Sequence, residues 1–97
     1  MPTINKPKKK PVKTNYKSKD LMDAYNAYRP IRLNYIKEHP LCEDCLAKGI
    51  TTVAEEVHHI TPILTAKDPI DMKALATDTN NMISLCKECH FKRHHSH

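Results

Sequence analysis

Apolar residues recur at helical spacing in the first part of the chain. The members of this stripe lie three or four positions apart: Leu21, Ala24, Tyr25 and Tyr28. They predict a helix with Asp20 as its N-cap. Pro30 interrupts the pattern, because proline lacks the backbone N–H and pushes the preceding residue towards extended geometry. We therefore expect either a kinked helix over residues 20–38 or two short helices that meet near residue 29.

The second half of the chain predicts two strands and a closing helix. Residues 51–60 are rich in Thr, Val and Ile and indicate a strand. Residues 61–80 contain two prolines and several Asp and Asn, which is typical of an irregular loop, here with one helical turn around 70–76. Residues 82–85 predict a second short strand, and residues 87–95 contain no helix breaker and predict a helix. The expected fold class is small α+β.

The composition limits how large the apolar core can be. The chain has 97 residues, of which 39% are apolar, with no Trp and one Phe. A domain of this kind generally needs a further constraint, such as disulfides, a metal or a partner. The start of the chain lacks the apolar stretch of a signal peptide, and no run reaches membrane-spanning length. We therefore expect a cytoplasmic protein without a membrane partner, whose paired cysteines bind metal.

Two C-x-x-C pairs supply the candidate constraint. They consist of Cys42 with Cys45 and of Cys86 with Cys89. Each pair can direct two thiolates at one ion, and four sulfurs fill a tetrahedral shell without leaving an open position. The pattern predicts a structural Zn²⁺ that joins the front of the domain to its back. Disulfides, or four inert buried thiols, are the alternative interpretations.

The basic charge is concentrated at one end of the chain. Residues 1–19 hold seven lysines and no acidic residue, whereas residues 20–97 hold nine Lys or Arg and eleven Asp or Glu, a formal charge of −2. We interpret residues 1–19 as a basic, disordered arm and residues 20–97 as the folded domain. Such an arm suits attraction to phosphates that does not depend on sequence. A solubilising tail is the alternative interpretation.

Histidines form a second candidate metal site. His58 and His59 are neighbours on a predicted strand, so their side chains point to opposite faces and cannot both serve one ion from one side. His90 and His94 lie four residues apart on the predicted closing helix and share a face. An ion bound by His58 and His90, with or without His94, would keep open positions for water and a phosphate oxygen. Spacing alone leaves the individual roles open, and a satisfied polar pair is the alternative for His58 and His59.

Three motifs, in this order, resemble the HNH endonuclease family. They are Pro40-Leu41-Cys42-Glu43-x-Cys45, Val57-His58-His59-Ile60-x-Pro62 and Asn81-Met82-x-Ser84-Leu85-Cys86-x-x-Cys89-His90. The resemblance covers about residues 25–94 and is closest to the small four-cysteine, zinc-containing members common in phages and prophages. It implies the ββα-metal (His-Me finger) motif, preceded here by a helical segment and held by a structural zinc site of four cysteines.

The resemblance also implies a role for each histidine of the site. His59 would be the general base that takes a proton from water. His58 and His90 would be ligands of the catalytic divalent ion, for which Mg²⁺ or Mn²⁺ is expected. His94 lies where some members carry a third histidine ligand and others carry Lys or Thr.

Asn81 would be the asparagine of the family name, holding the loop and thereby the ring of His59. Asn80 is an adjacent rival, but the register of the following Ser-Leu-Cys favours Asn81. Two positions depart from the pattern. Many relatives have a tryptophan in the front helix near Tyr28, and Pro30 is unexpected there, which puts the geometry of that helix in question more than the chemistry.

The implied function is metal-dependent hydrolysis of DNA. The products would be a 5′-phosphate and a 3′-hydroxyl, with weakly sequence-specific nicking of double-stranded DNA by a monomer or weak dimer. Lys87, Lys92 and Arg93 of the closing helix are candidate contacts to flanking phosphates. The kind of relative suggests a phage or prophage protein of the bacterial cytoplasm that works beside packaging (terminase) proteins. The alternative is a non-catalytic zinc-containing module that binds nucleic acid through the lysine arm.

Overall fold

The computed structural model describes residues 16–95. Within that range the chain forms four α-helices and two strands: α1 Ser18–Glu38, α2 Glu43–Ala47, β1 Glu56–His59, α3 Pro69–Thr77, β2 Met82–Leu85 and α4 Lys87–His95. This order confirms the small α+β fold, with β1, β2 and α4 as its ββα unit. Residues 1–15 of the predicted arm lie outside the described residues. None of the described helices is long and apolar enough to cross a membrane.

The first helix is continuous through Pro30, so the expected alternative of two short helices is wrong. Pro30 is exposed, and the opposite side of α1 carries the buried Tyr28 and Tyr35, whose packing offsets the backbone hydrogen bond that a proline removes. The helix begins at Ser18, two residues earlier than expected. Asp20 is not the N-cap: it lies in the first turn, where its carboxylate accepts the backbone N–H of Lys17 at 2.7 Å.

A nine-residue helix lies within residues 61–80, where we expected a loop with one helical turn. Asp68 caps α3 by accepting the N–H of Asp71 at 2.7 Å, and Pro69 occupies its first turn, a position that suits proline. Met72 and Ala76, four residues apart, are fully buried. α3 packs against α1 and β1 in the main core, whose buried members are Ala24, Tyr28, Tyr35, Val57, Ala66, Met72, Ala76 and Met82.

The two strands pair antiparallel, with Glu56 opposite Leu85 and His59 opposite Met82. The strand expected over residues 51–60 is wrong in its first half. There the backbone pairs with the segment before α2, since Ala54 N–H donates to Pro40 at 2.8 Å. β2 and α4 have the predicted bounds, and α4 packs against both strands with His90 beside His58.

Candidate active site and metal centres

The four cysteines meet where α2, β2 and α4 converge. The Cys45 sulfur lies 4.0 Å from that of Cys86 and 3.7 Å from that of Cys89, and all four sulfurs lie within 4.8 Å of one another. A tetrahedral zinc site with Zn–S bonds of about 2.3 Å has sulfurs about 3.8 Å apart. The sulfurs are not bonded to one another, which excludes the disulfide interpretation for this structure. The arrangement fits one metal ion.

Proton affinities in this cluster also favour a cation. Burial raises the pKa of Cys42, but hydrogen bonds from the backbone N–H groups of Cys86 and Cys45 outweigh burial and lower it to about 7. Burial and the neighbouring thiols raise the pKa of Cys89 to about 12. Several thiolates therefore cannot coexist here without a positive ion among them, whereas a bound metal would stabilise all four.

The second cluster joins β1 to α4 through His58, His90 and His94. One ligand nitrogen from each ring lies within 4.8 Å of the other two, and the Nε2 atoms of His90 and His94 are 2.9 Å apart. Burial, then the charges of the His90 and His94 rings, lowers the pKa of His58, which keeps its imidazole in the neutral form that binds metals. The structure thus brings together all three histidines that the sequence suggested, including His94.

A carboxylate that our sequence reasoning missed supports this cluster. Glu56 accepts a hydrogen bond from Nδ1 of His90, so the Nε2 lone pair of His90 faces His94. A carboxylate in this position orients a histidine ligand and makes it more basic. The signal was present in the sequence, because Glu56 and His58 are two residues apart on one strand and therefore share a face.

The side chain of His59 extends from the face of β1 opposite to that of His58. Its Nε2 lies 3.0 Å from the carbonyl oxygen of Ala76, at the end of α3. A carbonyl can only accept, so the proton of the neutral ring is on Nε2 and the lone pair is on Nδ1. The ring of Tyr28 packs against the His59 ring with 4.5 Å between centroids. The Ala76 carbonyl and the Tyr28 ring together fix the orientation of the His59 ring.

Asn81 connects the two sides of the loop that follows His59. Its side-chain oxygen accepts the N–H of Thr61 at 2.7 Å, and its side-chain nitrogen donates to the carbonyls of Thr61 and Leu75 at 3.0 and 2.9 Å. Its main-chain oxygen accepts the N–H of Ile60 at 2.9 Å. The rival Asn80 is exposed, and its backbone N–H donates to the side chain of Asp78.

The three candidate phosphate contacts of α4 have different surroundings. Lys87 is exposed at the start of the helix. Lys92 pairs with Glu88 at 3.2 Å. Arg93 forms a two-pronged ion pair with Asp44 of α2, with N–O distances of 2.7 and 2.8 Å. Arg93 thus holds α4 against α2, and any phosphate contact would use its remaining N–H groups.

Both histidines of the pair line one cleft of about 240 Å³, and His90 and His94 line it as well. The cleft's other walls come from Val57 and from the turn after β1. A ring nitrogen with a free lone pair and a metal-binding cluster therefore border the same space. Such a combination can hold an anionic ester and accept a proton from water beside it.

Comparison with known proteins agrees with this chemistry. A sequence profile of HNH endonucleases matches residues 42–96, more than half of the chain. The crystal structure of the HNH endonuclease of the deep-sea thermophilic bacteriophage GVE2 with manganese ion is similar, with 29% sequence identity and a TM-score of 0.58. The match covers 82% of this chain and 91% of that one. Among curated proteins there is no match. The chain therefore belongs to the HNH endonuclease family.

Proposed function

We propose that this protein is a metal-dependent DNA endonuclease in which His59 is the general base and His58, His90 and His94 hold one divalent ion. The observation that carries the proposal is the division of the histidine pair. One ring faces the metal-binding cluster, and the other has its Nε2 bonded to Ala76, and both line one cleft.

The residues around the cleft have defined tasks in this mechanism. Nδ1 of His59 accepts a proton from the attacking water, while the Ala76 carbonyl keeps the ring in the required tautomer. Asn81 holds the turn that carries Ile60 and Thr61, and so fixes the position of the His59 backbone. The ion, when bound, would stabilise charge on the phosphoryl oxygen and on the leaving 3′ oxygen. The products are a 5′-phosphate and a 3′-hydroxyl.

The two metal sites differ in the ion they suit. Four thiols close together fit Zn²⁺ and leave no open position, so that site is structural. Three imidazoles are softer ligands than the carboxylates that Mg²⁺ prefers, which favours Mn²⁺ of the two expected catalytic ions. The relative from phage GVE2 was crystallised with manganese, which supports the same choice.

Substrate and cellular context follow from the same reasoning. One active site cuts one strand per encounter, so we infer nicking of double-stranded DNA by a monomer or weak dimer. We also infer that the nicking is weakly sequence-specific. The phage origin of the similar structure supports a phage or prophage protein. Action in the bacterial cytoplasm beside packaging (terminase) proteins is a further part of the proposal. The lysine-rich segment before α1 would serve as a DNA-attracting arm in front of the nuclease domain.

Substitution of His59 tests the proposal. His59→Ala should abolish nicking of supercoiled plasmid in Mn²⁺ while zinc content and circular dichroism stay those of the wild type. His39→Ala is the matched control, because His39 is exposed and stacks on Tyr35, away from the cleft. Equal nicking by wild type and His59→Ala would refute the role of His59. Absence of nicking by the wild type across a panel of divalent metals would instead favour the non-catalytic DNA-binding module.

A further inference from the structure

The active-site cleft continues beyond the histidines towards α1. A second depression of about 350 Å³ adjoins the first and shares Val57, His59, Ile63 and His90 with it. Its outer wall is formed by α1 through Tyr25, Tyr28 and Arg32. This helix precedes residues 42–96, the part of the chain that matches the HNH profile. The space beside His59 is therefore completed by a segment outside that match.

Arg32 is the cation of this wall. Its side chain is half-buried and lies against the hydroxyl of Tyr28. Burial raises the pKa of Tyr28, and the adjacent guanidinium opposes that rise only in part. Tyr28 is itself buried and packs on His59. Within residues 16–95 Arg32 takes part in no ion pair. Glu56, the carboxylate that lines the same depression, is bonded to His90.

We propose that Arg32 binds the phosphodiester that is cleaved, through a non-bridging oxygen, from the α1 wall of the depression that adjoins His59 and His90. The proposal rests on the endonuclease function proposed above. An arginine stays charged at every working pH, and its planar fork matches a phosphate. A half-buried guanidinium without a carboxylate partner is stabilised by an anion, and the anion that this cleft would receive is the phosphate beside His59.

This position defines what Arg32 contributes to the reaction. Its N–H groups would orient the phosphate for attack and stabilise the negative charge that grows on its oxygens. It neither gives nor takes a proton. Its partner Tyr28 holds it by contact, and the same tyrosine packs on the general base, so α1 would fix the distance between the base and the phosphate.

Paired arginine substitutions test this role. In plasmid nicking with Mn²⁺, Arg32→Ala should lower kcat by about 10²- to 10³-fold, the range typical for loss of one charge-stabilising donor. Arg32→Lys should fall between Arg32→Ala and the wild type. Arg29→Ala is the control, since it removes the same charge from an exposed position on the same helix that does not line the cleft.

Chemical rescue separates phosphate binding from a structural role. Free guanidinium ion at non-denaturing concentration should restore part of the activity of Arg32→Ala and none of that of His59→Ala. A lower melting temperature without rescue would overturn the proposal. If the wild type nicks DNA and Arg32→Ala nicks it at the same rate, the proposal for Arg32 is overturned and the endonuclease function stands. An inactive wild type would overturn both.

Discussion

The hydrogen bond that His90 donates to Glu56 should raise the affinity of the histidine cluster for its metal ion. Glu56→Ala should weaken Mn²⁺ binding by about 10- to 100-fold, the range for loss of a partner behind a histidine ligand. Isothermal titration of the zinc-loaded protein with Mn²⁺ measures it. The neighbouring Glu55→Ala removes the same charge from an exposed position just before β1. Equal weakening in both variants would mean that Mn²⁺ affinity depends on the lost negative charge and not on the bond to His90.

That His58 and His59 face different surroundings could be predicted from strand alternation, because neighbouring side chains of a strand point apart. Only the family resemblance suggested which ring takes which role. The contacts that each ring makes could not be predicted in this way. The partner of His59 is a carbonyl of Ala76, which reaches it only because α3 packs on α1 and β1. The spacing of Tyr28 and Arg32 likewise indicates a helix, but not that both border the catalytic cleft.

The predicted phosphate contacts of α4 differ in direction, although the sequence places them on one helix. At about 100° per residue, Lys87 lies about 20° from His94 and 60° from His90, whereas Lys92 lies about 160° from both. Lys87→Ala should therefore weaken DNA binding and reduce the slope of log affinity against log salt by about 1, while Lys92→Ala leaves both near wild type.

Fluorescence anisotropy of a labelled duplex, with Ca²⁺ in place of Mn²⁺ to suppress cleavage, measures both constants. The two variants are matched controls for each other, since each removes one exposed lysine from α4. Identical salt slopes for the two variants would mean that the histidine face of α4 does not face the DNA backbone.

Elements with local signals could be predicted, and those that depend on distant contacts could not. β2 and α4 follow directly from an apolar run and from a stretch without breakers. β1 ends up shorter than its β-branched stretch because residues 52–54 find backbone partners before α2. α3 carried a strong start signal in Asp68 and Pro69, which the surrounding Asp and Asn residues disguised as a loop.

Two separate cores stabilise the part of the chain that the structure describes. The second consists of Cys42, Leu85, Cys86 and Cys89, and it joins α2, β2 and α4. Without an ion, this core would be a group of buried thiols with little apolar area, so its stability depends on the metal. Loss of zinc should therefore unfold the ββα unit.

Cys86→Ser tests this dependence with a side chain of nearly the same size. We expect loss of bound zinc by native mass spectrometry and loss of the cooperative thermal transition. His94→Ala, which alters the other metal site, should keep zinc and fold and lose only Mn²⁺ affinity. A Cys86→Ser protein that unfolds like the wild type without bound zinc would show that the sulfur cluster is an inert core.

The distribution of charge decides how the molecule meets DNA. Residues 20–97 carry a formal charge of −2, and a zinc ion with four thiolates would make that part more negative. We therefore expect most of the long-range attraction to a polyanion to come from the lysines near the start of the chain. Five of these precede residue 16: Lys6, Lys8, Lys9, Lys10 and Lys13.

Replacing those five lysines by glutamine should weaken duplex binding and reduce the salt slope by up to about 4.5, since each phosphate contact contributes about 0.9. Five arginines at the same positions keep the charge and should retain the wild-type slope. The rate of nicking of DNA that is already bound should be unchanged in both variants, because the catalytic groups lie elsewhere. If the glutamine variant keeps the full slope, the arm is a solubilising tail, and the cations of the folded domain alone attract the DNA.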